Sequence, residues 1–116
     1  MSFWRKPSVP EIDAVILHGK MKEEKPPRLL DVRETEEHEE GVIPGAILIP
    51  MGQLGDKLKQ VAPDEMEEIV VYCRSGNRSL YSTEQLRHAG YTNVASLQGG
   101  ILGWWRQGYE IAEPKP

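Results

Sequence analysis

The feature that most constrains the fold of this chain is the alternation of short apolar runs with helical patterns. Four runs are predicted to be strands, at 28–32, 46–49, 69–72 and 93–97. Helices are predicted at 10–18, 34–40, 54–61 and 79–89, and a last one after Gly99–Gly100. Strands that alternate with helices favour an α/β domain with a mainly parallel central sheet, flanked by helices and joined by right-handed crossovers. A chain of 116 residues is long enough for a single domain of this kind.

The only cysteine, Cys73, directly follows the most apolar run, Ile69–Tyr72, which is predicted to be a central strand. Ligands of parallel sheets bind beyond the carboxyl ends of the strands, which is where Cys73 falls. The next residues are small, polar or cationic: Arg74, Ser75, Gly76, Asn77, Arg78 and Ser79. Nearby cations and a helix N-terminus favour a thiolate, and a glycine lets the backbone curl into a nest of N–H donors. The pattern predicts a catalytic thiolate in an anion-binding loop, against the alternative of an inert buried cysteine.

Within this loop, each remaining residue has an expected part. Ser79 is predicted to be the N-cap of the following helix, which would turn free backbone N–H groups toward the sulfur. Arg74 is predicted to orient an anionic substrate. Two interpretations of Arg78 remain open, because it can bind the same anion or turn away and pair with a carboxylate.

Composition excludes several classes of function. A net charge of −4 and a pI near 5.4 argue against a nucleic-acid-binding protein. One cysteine allows no internal disulfide, and three scattered histidines form no metal-binding cluster, so we expect neither a metal nor another cofactor. The acidic segments 34–40 and 64–68 are interpreted as solvated surfaces. No secretory signal is visible in Met1–Lys6 and no apolar run is long enough to span a membrane, so a cytoplasmic protein is expected.

Four motifs in sequence order carry a resemblance to a known family. They are Leu29–Arg33, the H-x-x-G-x-I-P-G-A pattern of 38–46, the loop 73–79 and the G-G-x-x-x-W pattern of 99–104. With them the chain resembles the rhodanese-like family in its single-domain form. The resemblance covers about residues 8–110, which leaves an N-terminal extension at 1–7 and a tail at 111–116.

The resemblance implies a sulfurtransferase of the thiosulfate sulfurtransferase type. Cys73 would take the outer sulfur of thiosulfate or of a persulfide donor, and pass it from a Cys73 persulfide to cyanide or a thiol. The implied partners are thus a small-molecule sulfur donor and acceptor, and an alternative is a persulfide carrier that delivers sulfur to a partner protein. Cysteine phosphatases and arsenate reductases need five residues between cysteine and arginine. Only four separate Cys73 from Arg78, which favours a single sulfur atom over a phosphate.

The other matched residues are expected to have structural roles. Asp31 would cap backbone N–H groups, Arg33 would pair with a carboxylate, and His38 would be packed and hydrogen-bonded rather than act as a base. Gly99–Gly100 would let the backbone pass close to the Cys73 loop. Trp104 would belong to the core, and Trp105, which cannot share its face, would be partly exposed. Ser82 and Thr83 replace two alanines that are common in the family.

Overall fold

The computed structural model describes residues 6–115, which form five strands and five α-helices. The strands are β1 (Glu11–Ile12), β2 (Arg28–Asp31), β3 (Ile47–Leu48), β4 (Ile69–Tyr72) and β5 (Val94–Leu97). The helices are α1 (Ala14–Lys20), α2 (Thr35–Glu40), α3 (Leu54–Val61), α4 (Asn77–His88) and α5 (Gly100–Arg106), with a 3₁₀ turn at Met51–Gln53. The predicted strands and helices are therefore present, with bounds that shift by a few residues.

The five strands form one sheet in the order β1-β5-β4-β2-β3, and every neighbouring pair is parallel. This confirms the predicted α/β fold with a parallel sheet and the central position of β4. The register pairs Asp31 of β2 with Tyr72 of β4, and Val71 of β4 with Ser96 of β5. The carboxyl ends of three adjacent strands therefore lie side by side at one edge of the sheet.

Both faces of the sheet are covered, as the alternation of side chains along β4 shows. Ile69 and Val71 belong to an apolar cluster with Leu58 of α3 and Leu86 of α4. The intervening residues of β4 belong to a second cluster with residues of α1 and α5, which includes Trp104. Successive side chains of a strand point to opposite faces. Cys73 continues the first alternation and belongs to the cluster of α3 and α4, so its side chain faces α4.

The predicted helix at 10–18 is wrong at its beginning. Glu11–Ile12 forms an edge strand, held because Ser96 N–H donates to the carbonyl of Pro10 at 2.9 Å and Gln98 N–H donates to that of Ile12 at 2.8 Å. The helix begins only after Asp13, whose carboxylate accepts the N–H of Ile16 at 2.8 Å as an N-cap. It also continues through Gly19 to Lys20.

At the chain ends, the C-terminal segment is paired with the body of the domain. Val42 and Ala112 exchange two backbone hydrogen bonds, of 2.9 and 2.8 Å, in an antiparallel bridge. Residues 1–5 of the predicted N-terminal extension, and Pro116, lie outside the described residues. None of the helices found between residues 6 and 115 has the length and apolar character needed to cross a membrane.

Candidate active site

The Cys73 thiol lies in a nest of backbone N–H groups directly after β4. Its Sγ accepts hydrogen bonds from the N–H of Gly76 at 3.1 Å and of Ser79 at 3.4 Å. The residue is almost fully buried, at 1% exposure. Two main-chain donors aimed at one buried sulfur stabilise negative charge on it, because they replace the water that a thiolate would otherwise need.

The beginning of α4 explains why these donors point at the sulfur. Gly76, not Ser79, is the N-cap, so the prediction for Ser79 is wrong. Gly76 has a φ of 106°, in the left-handed region that glycine adopts without strain, and the helix can therefore begin at Asn77. Ser79 then falls in the first helical turn, whose N–H groups have no partner within the helix. Its N–H is free to donate to Sγ, and the positive end of the α4 dipole lies beside the thiol.

A pair of buried serine hydroxyls lies behind the sulfur. Ser79 Oγ is 3.6 Å from Cys73 Sγ and 3.2 Å from the carbonyl oxygen of Gly76, to which it donates. The Oγ of Ser96 is 2.8 Å from that of Ser79. Sequence reasoning missed Ser96. Its signal was a polar residue in an otherwise apolar strand, two positions from Val94 and so on the same face of β5.

Gly99–Gly100 brings the N-terminus of α5 against the loop, as the sequence predicts. A Cβ at Gly100 would collide with the carbonyl groups of Cys73 and Arg74, and one at Gly76 would lie 3.2 Å from the backbone nitrogen of Gly99. The N–H of Ile101 donates to the Cys73 carbonyl at 2.9 Å. Because this bond holds the Cys73 carbonyl on the α5 side, the N–H groups of the loop are left to face the sulfur.

Of the two interpretations of Arg78, the structure shows the pairing with a carboxylate. Its guanidinium donates to both oxygens of Glu37 on α2, at 2.7 and 2.9 Å. These hydrogen bonds are the main reason that the pKa of Glu37 falls to about 2. Arg78 therefore ties the loop to α2, with one N–H of each terminal nitrogen bound to Glu37.

Arg74 differs from Arg78 in its exposure and in its lack of a carboxylate partner among the described residues. It is exposed, and within residues 6–115 it forms no ion pair. The side chains of Ser75 and Asn77 are exposed on the outside of the loop, so these two predicted site residues stand at the surface rather than against the sulfur. The remaining free cation of the loop is therefore the one next to Cys73.

Comparison with known proteins agrees with this geometry. The family model of the rhodanese-like domain matches residues 14–107. The chain belongs to the rhodanese-like family.

Relatives of this rhodanese-like chain include sulfurtransferases. A sulfurtransferase of Allochromatium vinosum is 35% identical over 107 residues, which cover 92% of this chain and 98% of that protein. The human thiosulfate:glutathione sulfurtransferase is 33% identical over 110 residues, which cover 84% of this chain and 90% of that protein. A crystal structure of a rhodanese-related protein from Thermoplasma volcanium superposes with a TM-score of 0.79 at 33% identity, and covers 90% of this chain and 98% of that one.

The neighbouring strand end of this rhodanese-like domain, after β2, is a closed polar network around Asp31. The carboxylate is fully buried and accepts two hydrogen bonds from the Arg33 guanidinium, at 2.9 and 2.7 Å, and one from the Arg33 N–H at 3.0 Å. His38 Nδ1 lies 2.9 Å away, and the Tyr72 hydroxyl donates to Asp31 at 3.1 Å. Burial raises the pKa of Tyr72, so the phenol keeps its proton and remains a donor. The capping and pairing predicted for Asp31, Arg33 and His38 are found here.

The remaining predictions concern two tryptophans of α5 and two hydroxyl residues of α4. Trp104 is buried in the core, whereas Trp105 is 62% exposed, as predicted. Ser82 and Thr83 are fully buried on α4, and their hydroxyls have no hydrogen-bond partner among the described residues. In the part of the chain that the structure describes, no group of three or more His, Cys, Asp or Glu residues could hold a metal ion.

Proposed function

We propose that this protein is a sulfurtransferase that moves a sulfane sulfur through a persulfide on Cys73. The observation that carries the proposal is the hydrogen bonding of Cys73 Sγ to two main-chain N–H groups, at 3.1 and 3.4 Å, next to Arg74, which forms no ion pair within residues 6–115. A thiolate held in this way is a nucleophile without a dedicated general base. Membership of a family that includes sulfurtransferases supports the proposal.

In the first half of the reaction, the Cys73 thiolate attacks the outer sulfur of the donor. With thiosulfate, an S–S bond to Cys73 forms, the S–S bond of thiosulfate breaks, and its electron pair leaves with sulfite. Arg74 orients the anionic donor through its guanidinium. The N–H groups of Gly76 and Ser79 remain as donors to the sulfur atoms, in the manner of an oxyanion hole.

In the second half, a thiophilic acceptor attacks the outer sulfur of the persulfide. Cyanide would leave as thiocyanate, and a thiol would leave as a new persulfide. In both cases Cys73 returns to the thiolate. The kinetics expected for such a two-step covalent mechanism are ping-pong. A sulfur-accepting protein could take the place of the small acceptor, which would make the domain a carrier in a sulfur relay.

The size of the loop supports sulfur transfer over phosphate or arsenate chemistry. Four residues separate Cys73 from Arg78, and the Arg78 guanidinium is bound to Glu37 instead of standing over the nest. A tetrahedral oxyanion would lack that guanidinium as a partner.

The test is direct observation of the covalent intermediate. After incubation with thiosulfate, mass spectrometry of the intact protein should show one added sulfur, about 32 Da, which cyanide removes. Cys73→Ser should neither gain this mass nor transfer sulfur, while Ser82→Ala, a change at another buried residue, should do both. Sulfur transfer by Cys73→Ser, or native protein that never gains the mass, would refute the mechanism.

A further inference from the structure

A cavity of about 710 Å³ lies at the β3 edge of the sheet. Its wall is formed by His38 of α2, by the turn before β3, by β3 itself and by the C-terminal segment from Ala112. The antiparallel bridge between Val42 and Ala112 holds that segment against the domain. The loop 73–79, which the structure describes in full, contributes no residue to this wall, so the cavity is separate from the thiol site. Its size is typical of sites that bind small molecules.

The wall of this cavity is largely apolar and has no net charge. Among the described residues, its charged side chains are Glu113 and Lys115, which are both exposed and opposite in sign. Such a wall favours a neutral ligand with an apolar body, because it offers contact area but no net charge to attract an ion. The apolar residues of the wall are Val42, Pro44, Ala46, Ile47, Leu48 and Ala112.

His38 is the polar group on the inner side of this wall. Its side chain is 13% exposed, and its Nδ1 lies 2.9 Å from Oδ2 of the buried Asp31. A carboxylate accepts hydrogen bonds, and the Arg33 and Tyr72 groups around Asp31 all donate to it, so Nδ1 carries the proton of the imidazole. In the neutral ring this leaves Nε2 as a hydrogen-bond acceptor.

This Nε2 is both free and accessible. It forms no hydrogen bond with any group of residues 6–115, where the recorded partner of the imidazole is Asp31. The buried side-chain nitrogen and oxygen atoms without a partner in that range are the hydroxyls of Ser82 and Thr83. Because Nε2 is not one of these buried atoms, it keeps accessible surface, and the imidazole meets the cavity there.

The pairing of the strands sets an apolar side chain beside this acceptor. Asp31 of β2 is paired with Leu48 of β3 in parallel register. Paired residues of neighbouring strands point to the same face of the sheet, so Leu48 lies on the face where Asp31 holds His38. Leu48 is half-buried and lines the cavity. The inner wall therefore combines one acceptor with an apolar contact surface.

We propose that this cavity binds a neutral phenol. The phenol hydroxyl donates to Nε2 of His38, and the ring packs against Leu48 and Pro44. A phenol suits the acceptor because its O–H is more acidic than that of an aliphatic alcohol, while the rest of the molecule is apolar. Asp31 fixes the orientation of the imidazole from behind, as a carboxylate does for the histidine ligands of metal sites. The proposal is independent of sulfur transfer at Cys73.

The experiment compares two probes of similar shape by NMR titration of the full chain at pH 8, where an ordinary histidine is neutral. The probe 4-propylphenol carries the hydroxyl, and 4-propylfluorobenzene has a fluorine in its place. The native protein should bind the phenol about fivefold more tightly, as expected for one neutral hydrogen bond. The backbone amide signals that move should be those of residues 42–48 and 112–115.

Three variants separate the acceptor from the apolar wall. His38→Phe keeps a ring but removes Nε2, so both probes should bind this variant with the same Kd. Leu48→Ala should raise Kd roughly threefold for both probes and preserve the difference between them. Leu48 belongs to neither core cluster, so this variant should fold. His88→Phe removes an exposed histidine of α4 that does not line the cavity, and should leave both Kd values unchanged.

The same titration can overturn the proposal. Absence of binding, equal Kd values for the two probes in the native protein, or a preference for the phenol that persists in His38→Phe would each do so. If His38→Phe does not fold, the imidazole nitrogen signals of the native protein give the same answer. The phenol should shift the Nε2 signal of His38 and the fluorinated probe should not, and an Nε2 signal that stays in place with bound phenol would refute the site.

Discussion

Two adjacent strand ends in this domain use the same residue type in opposite ways. After β2, Arg33 is buried and bound to Asp31 and to the carbonyl of Gly41. After β4, Arg74 is exposed and unpaired among residues 6–115, beside a sulfur that accepts main-chain N–H groups. The difference teaches that the partners of an arginine, and not its place at a strand end, decide whether it holds the structure together or receives a substrate.

The strongest test of this contrast is Asp31→Asn, which keeps the shape of the side chain and removes its charge. The Arg33 guanidinium would be left buried without a counter-charge, so the free energy of unfolding should fall by about 3 kcal/mol. Urea denaturation monitored by tryptophan fluorescence measures the loss. Asp56→Asn, at an exposed position in α3, should change stability by less than about 0.5 kcal/mol. A similarly small loss for Asp31→Asn would mean that the β2 end is not the structural one.

The second test addresses the β4 end. Arg74→Ala removes the free cation and should raise KM for thiosulfate roughly tenfold, the equivalent of one charged hydrogen bond of about 1.5 kcal/mol. Stability should hardly change, because the side chain is exposed. Arg74→Lys keeps the charge but loses the planar guanidinium, so its KM for thiosulfate should lie between those of the native protein and Arg74→Ala. An unchanged KM in Arg74→Ala would move anion binding to another group.

Local patterns in the sequence were sufficient to predict the parallel sheet, the Cys73 loop and the close approach of Gly99–Gly100 to it. Each of these depends on residues that are close in sequence or that require a particular backbone conformation. They failed for β1, since a two-residue strand shows no periodicity and depends on its neighbour β5. They also placed the N-cap at Ser79, because serine is the commoner cap and the left-handed turn at Gly76 depends on packing against Gly99. The Arg78–Glu37 pair joins residues 41 positions apart, so the sequence could leave it only as an alternative.

A third prediction concerns Ser96, which supports the thiol from behind. The Ser79 hydroxyl donates its only proton to the Gly76 carbonyl, so the hydroxyl of Ser96 donates to Ser79 Oγ and helps to hold Ser79 beside the sulfur. In Ser96→Ala, Ser79 Oγ loses this partner and the Ser79 N–H is held less firmly against Sγ, so the rate constant for alkylation of Cys73 at pH 7 should fall about twofold. Iodoacetamide kinetics at pH 7 would show the decrease. Ser82→Ala also removes a buried hydroxyl, but one without a partner in the described residues, and should alkylate at the native rate.

The smallest expected effect belongs to the Arg78–Glu37 pair, which is intermediate between the two strand ends because its side chains are 38% and 29% exposed. Glu37→Gln should lower the free energy of unfolding by at most about 1 kcal/mol at pH 7. The pKa of Glu37 is lowered from 4.5 to about 2 in the folded protein, so its contribution is complete above pH 4.5 and is lost as the pH falls toward 2.

Denaturation of both proteins at pH 7, 4 and 3 measures this change. The difference between native protein and Glu37→Gln should narrow below pH 4.5. A difference that instead grows on acidification would show that the pair does not stabilise the fold through the ionised carboxylate.

The outer strands β1 and β3 contain only two residues each. A sheet edge can recruit a strand from another molecule through its unpaired N–H and C=O groups, and these edges offer very few of them. Concentrated solutions of the folded protein should therefore resist strand-to-strand association and fibre formation. The same shortness limits recognition by strand addition, so contacts with other macromolecules are expected through side chains rather than through an extended sheet.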